Sequence, residues 1–206
     1  MSEGRLQGEL ARRRAAALAG HTGDEAAARA GTTDDDPGVR ATAFAALVRL
    51  KAATTADLAA AATDADPVVR RRAAELIPVS LAGDTAHRLL GPLLEDREAT
   101  VVEVAAWACG EVEQADPAIV ATLIGLAGGH RDALVREAAV AALGAIGDPA
   151  GLPTILAATT DKPAVRRRAV LALAPFDGPE VDAALERALS DRDWQVRQAA
   201  EDLLSG

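Results

Sequence analysis

The sequence has no tyrosine, two phenylalanines and two tryptophans in 206 residues, so its core cannot be organised around bulky aromatic anchors. Its one cysteine, Cys109, excludes an internal disulfide framework and a multi-cysteine metal site. Lysine is nearly missing: of 22 basic residues only Lys51 and Lys162 are lysines. No apolar run approaches the ~20 residues that a membrane span needs. Phosphate-loop and dinucleotide-binding glycine motifs are absent. The three histidines, His21, His87 and His130, show neither an i,i+4 metal spacing nor a His-Glu pair. A formal net charge of −9 opposes bulk attraction to nucleic acid or to an anionic membrane.

What the chain has in excess is alanine, 51 residues, beside 24 leucines, 16 valines and 5 isoleucines. Alanine is the best helix former and is depleted in strands, which predicts an all-α chain. Half-apolar composition with 26 % charged residues is that of a folded globular protein. Arg12-Arg13-Arg14 ahead of Ala15-Ala16-Ala17-Leu18-Ala19 imitates a signal peptide, but its apolar part is too short. A cytoplasmic protein without cofactor, metal or membrane segment is expected, with one domain over residues 1–206.

One phrase recurs along the chain: an Asp-rich turn, often with proline, then Val-Arg, an alanine four residues on and a large aliphatic residue four further. It reads Asp34-Asp35-Asp36-Pro37-Gly38-Val39-Arg40 with Ala43 and Leu47, and Asp64-Ala65-Asp66-Pro67-Val68-Val69-Arg70 with Ala73 and Ile77. Later copies are Val135-Arg136 with Ala139 and Leu143, Val165-Arg166 with Ala169 and Leu173, and Val196-Arg197 with Ala200 and Leu204. A degenerate third copy is anchored at Val102-Glu103, with Ala106 and Gly110. Anchors at 39, 69, 102, 135, 165 and 196 are spaced by 30, 33, 33, 30 and 31 residues, room for two antiparallel helices and two turns. Apolar residues at +4 and +8 fit a helix burying one stripe, and Asp or Pro just ahead supplies its start. Partner helices are predicted over 53–62, 86–95, 117–127, 149–158 and 179–189. Residues 1–20 form an N-terminal capping helix, 24–30 the first partner helix, and 22–206 the repeats. Gly144, Gly147 and Gly151 read as helix-end and turn punctuation.

The Asp-x-x-Val-Arg-x-x-Ala pattern resembles the HEAT-repeat superfamily, in particular the short HEAT-like repeats of phycobilisome lyases, over about residues 24–206. The resemblance implies an α-solenoid, a superhelix of about six antiparallel helix pairs whose second helices line a concave face. It carries no function by itself. The recurring Asp and Arg form a structural ladder, each aspartate capping its helix and accepting from an arginine of an adjacent repeat. A feature present in five of six copies belongs to the scaffold and not to one catalytic centre.

Function is therefore sought where copies differ on the face away from the core, at +2, +5, +6 and +9 from each anchor. There the middle copies carry Val104, Trp107, Val140, Ala141, Val170 and Leu171, rimmed by Arg71, Arg167, Glu111 and Glu137. Trp107, Val104, Val140, Val170, Leu171, Arg71 and Arg167 are the candidate contacts for a protein or peptide partner. Two placements of Trp107 stay open: exposed in this groove, or buried on the flank against the partner helix. The alternative functions are nucleic-acid binding, because HEAT-like DNA glycosylases grip phosphates on a basic face, and phycobilisome lyase-like activity. Arg70-Arg71-Arg72 and Arg166-Arg167-Arg168 favour the former, but Glu103, Glu111, Glu113 and Glu137 interrupt the face between them. Lone Cys109 among small residues reads as a packing group.

Overall fold

In the computed structural model, residues 3–114 and 116–205 are described. Among them every regular element is helical: thirteen α-helices and one 3-10 turn. They gather into two compact units, Met1–Leu93 and Leu94–Gly206. This boundary, absent from the one-domain expectation, falls in the turn before the weakest copy of the motif.

The first unit holds α1 (Glu3–Thr22), α2 (Glu25–Gly31), α3 (Pro37–Arg49), α4 (Thr55–Ala62), α5 (Pro67–Ser80) and α6 (Gly83–Leu93). The second holds α7 (Ala99–Gly110), α8 (Pro117–Gly129), α9 (Ala133–Ile146), α10 (Leu152–Ala158), α11 (Pro163–Ala172), α12 (Pro179–Ala188) and α13 (Trp194–Ser205). The 3-10 turn Pro149–Gly151 leads into α10. Partner helices lie within about three residues of the predicted spans, because proline and aspartate mark their starts. Asp116 accepts from the Ala118 N–H at the head of α8, and a Thr54–Asp57 capping box opens α4. Within each unit the motif-bearing helices pack in sequence: α1 on α3 and α3 on α5, then α7 on α9, α9 on α11 and α11 on α13.

The alanine four residues after each anchor lets these helices close up. Ala43, Ala73, Ala139, Ala169 and Ala200 are fully buried, as are the anchors Val69, Val135 and Val165. In α7 the structure corrects the register by one residue. Counted from its first residue, Val101 takes the place that Val69 has in α5, so the anchor is Val101, not Val102, and its alanine is Ala105. The degenerate turn concealed this. Glu98 stands at the N-cap and makes no capping bond, where Asp66 caps α5.

The ladder is more divided in labour than the sequence suggested. The turns ahead of α3, α5 and α13 use two acidic positions. The first, as in Asp64, takes the bidentate arginine of the preceding motif helix, Arg40 Nε at 2.8 Å and Nη2 at 2.7 Å, and accepts the Asp66 N–H. The second, Asp66, caps its own helix through the Val68 N–H. The arginine also returns to its own turn, where Arg40 Nη1 donates to the carbonyls of Asp34 and Asp35. Arg136 with Asp161 and Arg166 with Asp191 repeat the bidentate rung.

Helix α1 is not a mere cap. Arg12 donates to Asp34 as Arg40 does to Asp64, and Ala15 stands in the register of the alanine position but is exposed, the buried alanines of α1 being Ala16 and Ala19. Thus α1 holds the place of the second helix of a further copy, with Ala11 in the anchor position. Ala11 replaces valine and no proline precedes it, so the phrase was too eroded to be counted. Residues 1 and 2 of the expected cap lie outside the described residues.

Gly144 is not helix-end punctuation. It lies within α9, and a Cβ there would come within 2.6 Å of the Ala172 Cα of α11. Gly147 does end α9, with φ +69° in the left-handed region.

Candidate functional site

A helix turns about 100° per residue. Each motif helix is covered by its partner and by its neighbours in the stack, so its buried arc takes in positions 0, +4, +8, +1 and +5. Position +6 falls outside that arc, and +2 at its edge. Hence the column at +6, not the one at +5, reaches solvent. Val140 and Val170, at +5, are fully buried and are corrected from contact candidates to core. Phe44 and Ala74 hold the same position and are buried too.

The corrected register moves Trp107 from +5 to +6, and the ring is 48 % exposed. This excludes the buried placement. Its counterparts at +6 in the second unit are Ala141, half-buried, Leu171, 37 % exposed, and Asp202 of α13, exposed. Val104 is half-buried at +3. Arg167 is half-buried at +2, with its Nε enclosed and without a hydrogen-bond partner. Arg71 lies in the first unit, where it is exposed and stands 3.8 Å from Glu75.

Two shallow cavities mark this face. One, of ≈ 200 Å³, lies between Trp107 and Gly110 of α7 and Ala141 and Ala145 of α9, with Glu111 and Arg168 at its rim. The other, of ≈ 240 Å³, lies between Arg167 and Leu171 of α11 and Trp194, Gln198 and Asp202 of α13. Trp194, 64 % exposed, was missed by sequence reasoning. It opens α13 where proline opens α3, α5 and α11, and that replacement was the available signal.

The electrostatics follow from the ladder. The first arginine of each triplet is consumed by the scaffold: Arg70 and Arg166 are buried, Arg166 on Asp191 and Arg70 on the carbonyls of Asp64 and Ala65. Arg72 pairs with Glu75, and Arg168 lies 3.7 Å from Glu137. The Arg166 partner holds the Asp191 carboxyl below its ordinary range, and Arg136 does the same for Asp161. At Asp64 burial pushes the carboxyl up, but Arg40 and the Asp66 N–H outweigh it and the net shift is down.

Cys109 is fully enclosed, and burial pushes its thiol up to about 12, so the sulfur is a protonated packing group. Among the described residues no group of three or more His, Cys, Asp or Glu side chains could hold a metal ion, and no helix is long and apolar enough to cross a membrane.

The sequence matches the family model for HEAT repeats over residues 87–163 and 155–205, more than half of the chain. No curated protein matches it. Among solved structures, YibA of Escherichia coli is similar at TM-score 0.60 and 20 % identity over 75 % of this chain. The chain spans 59 % of YibA's length. An engineered protein is similar at TM-score 0.65 and 21 % identity, covering 88 % of this chain and 97 % of that one. A designed armadillo repeat protein in complex with the peptide (KR)4 is similar at TM-score 0.60 and 18 % identity, covering 94 % of this chain and 97 % of that one. At these identities the likeness is one of fold.

Proposed function

The chain belongs to the HEAT-repeat family, and from that premise we propose that it is a non-catalytic cytoplasmic scaffold. It holds a protein or peptide partner on the exposed face of the motif helices in residues 94–206, the face that is concave in this family. One observation carries the reading: at +6 the second unit presents Trp107 and Leu171 to solvent, each beside a cavity, in a chain with only four Phe and Trp residues. Large apolar side chains on such a face bind partners by removing their surface from water. On α13 the same positions are polar, with Glu201 and Asp202 where α11 has Val170 and Leu171. The armadillo neighbour, solved with a peptide, supports a repeat stack as a seat for an extended chain. A lone, enclosed cysteine suits a reducing compartment.

The test is affinity capture from native lysate with four baits: the unaltered chain, Trp107→Ala, Leu171→Ala and Val79→Ala. Val79 is 76 % exposed in the first unit and serves as the control. The reading expects a partner retained by the first and last baits and lost from the other two, with melting temperatures unchanged. Equal recovery by all four would overturn it.

A further inference from the structure

On α7, Glu103, Trp107 and Glu111 stand at i, i+4 and i+8, in one column along the helix and just past its end. Glu111 and the ring are exposed, and Glu103 is half-buried. Neither carboxylate has a hydrogen bond or ion pair among the described residues. The two carboxylates in the ring's own column are thus unpaired in a chain of net charge −9, and the one guanidinium lining the cavity, Arg168, lies 3.7 Å from Glu137. Beside the ring, Gly110, Ala141 and Ala145 are too small to cover it, which leaves the ≈ 200 Å³ cavity open.

We propose that Glu103, Trp107 and Glu111 form a clamp for an arginine or lysine side chain of an extended basic peptide segment in the partner. This rests on the scaffold reading and specifies its partner. A cation over an indole face is attracted by the ring's quadrupole, most strongly for tryptophan among the aromatics. The two carboxylates lie one turn to either side, placed to neutralise the head group. The partner's aliphatic stem covers the apolar wall of Ala141 and Ala145. Arginine suits the site better than lysine, because its planar group stacks on the ring and offers paired donors to a carboxylate.

The experiment is fluorescence anisotropy of a labelled octapeptide of alternating Lys and Arg, titrated with the full chain, with an octaglutamate peptide as comparator. The basic peptide binds and the acidic one does not. Trp107→Ala weakens binding about tenfold and Trp107→Phe less, while Glu103→Gln and Glu111→Gln weaken it about threefold each. Glu186→Gln, which removes the same charge from α12, leaves affinity within error. Circular dichroism of each variant separates lost binding from lost fold, and Trp107→Phe keeps the test open if the alanine variant is unstable. Loss from Glu186→Gln equal to that from Glu103→Gln would reduce the effect to net charge and overturn the clamp. Binding of the acidic peptide, or no binding of the basic one, would also overturn it. A partner captured from lysate and lost on Trp107→Ala would in those cases still sustain the scaffold reading.

Discussion

The junctions α9–α11 and α7–α9 follow one plan and differ at the rung. In the first, Arg136 of α9 sends Nε and Nη2 to Asp161 at 2.7 Å each. In the second, the arginine position of α7 is Val102 and the acceptor position of the next turn is His130. His130 still does the local part of the aspartate's work, accepting the Asp132 N–H on Nδ1 at 3.1 Å as Asp64 accepts that of Asp66. Both ends of the rung have changed together. Losing one end would strand a buried charge, whereas replacing both by groups without complementary charge is nearly neutral. The rung is therefore an accessory of the stack. What the two junctions share, a glycine against an alanine, is the part that sets the spacing.

That comparison breaks most severely at the glycine. A Cβ on Gly144 would meet the Ala172 Cα at 2.6 Å, and one on Gly110 would meet the Ala142 Cα at 2.9 Å. The obstacle is backbone, so a helix must move. Gly144→Ala is expected to cost about 3 kcal/mol in denaturant unfolding, more than Gly110→Ala. Equal, small costs would show that the helices separate freely and that the glycines do not fix their approach.

A missing rung can be put back. Val102→Arg alone buries a charge in a site only 2 % exposed and is expected to cost about 2–3 kcal/mol. His130→Asp alone costs less, because an aspartate can still accept the Asp132 N–H. Together they should recover about 1–2 kcal/mol of coupling, the scale of contacting pairs in double-mutant cycles. Strict additivity would mean that position 102 does not face position 130, and the corrected register of α7 would fall with it.

Acid separates the two junctions by a smaller margin. Folded Asp64, Asp161 and Asp191 ionise below their ordinary range. Their rungs therefore stabilise fully above the unfolded carboxylate value, about 3.9, and are lost as pH falls through the folded values. Unfolding free energy should drop below about pH 4, by up to roughly 1 kcal/mol for each part-exposed rung, and the melting temperature with it. Asp161→Asn should flatten that drop. An unchanged acid profile in this variant would remove the rung from the stability of α9–α11.

How much of this was legible in sequence follows from which signals are local. Proline and aspartate at helix starts, and alanine four residues past each anchor, are decided within one turn of chain, so helix pairs and their spacing could be read directly. The register of α7 could not. Glu98 and Thr100 carry no cap, and two valines in succession offered two anchors one residue apart. That slip assigned Trp107 to a column with Val140 and Val170. Burial at +5 depends on the neighbouring helix in the stack, which no single repeat encodes. The arginine triplets were visible as residues, but their division into ladder donors and surface groups was not, because the carboxylate that takes Arg166 lies 25 residues away.

The smallest expected effect is the most informative about the site. By the anchor at Val102, Trp107 and Val140 occupy equivalent positions; by the anchor at Val101, one is surface and the other core. Val140→Ala removes two methyl groups from a fully enclosed site and is expected to cost about 2 kcal/mol once the cavity is included. Trp107→Ala deletes a far larger side chain, yet much of it already faces water, while fully buried Ala105, Ala106 and Cys109 around it continue to seal the core. Its cost should stay below about 1 kcal/mol. A protein keeps a bulky apolar group in water at so little benefit to its own fold where that surface serves something else. If chemical unfolding instead ranks Trp107→Ala above Val140→Ala, the ring belongs to the core, and both the partner face and the clamp on α7 lose their anchor.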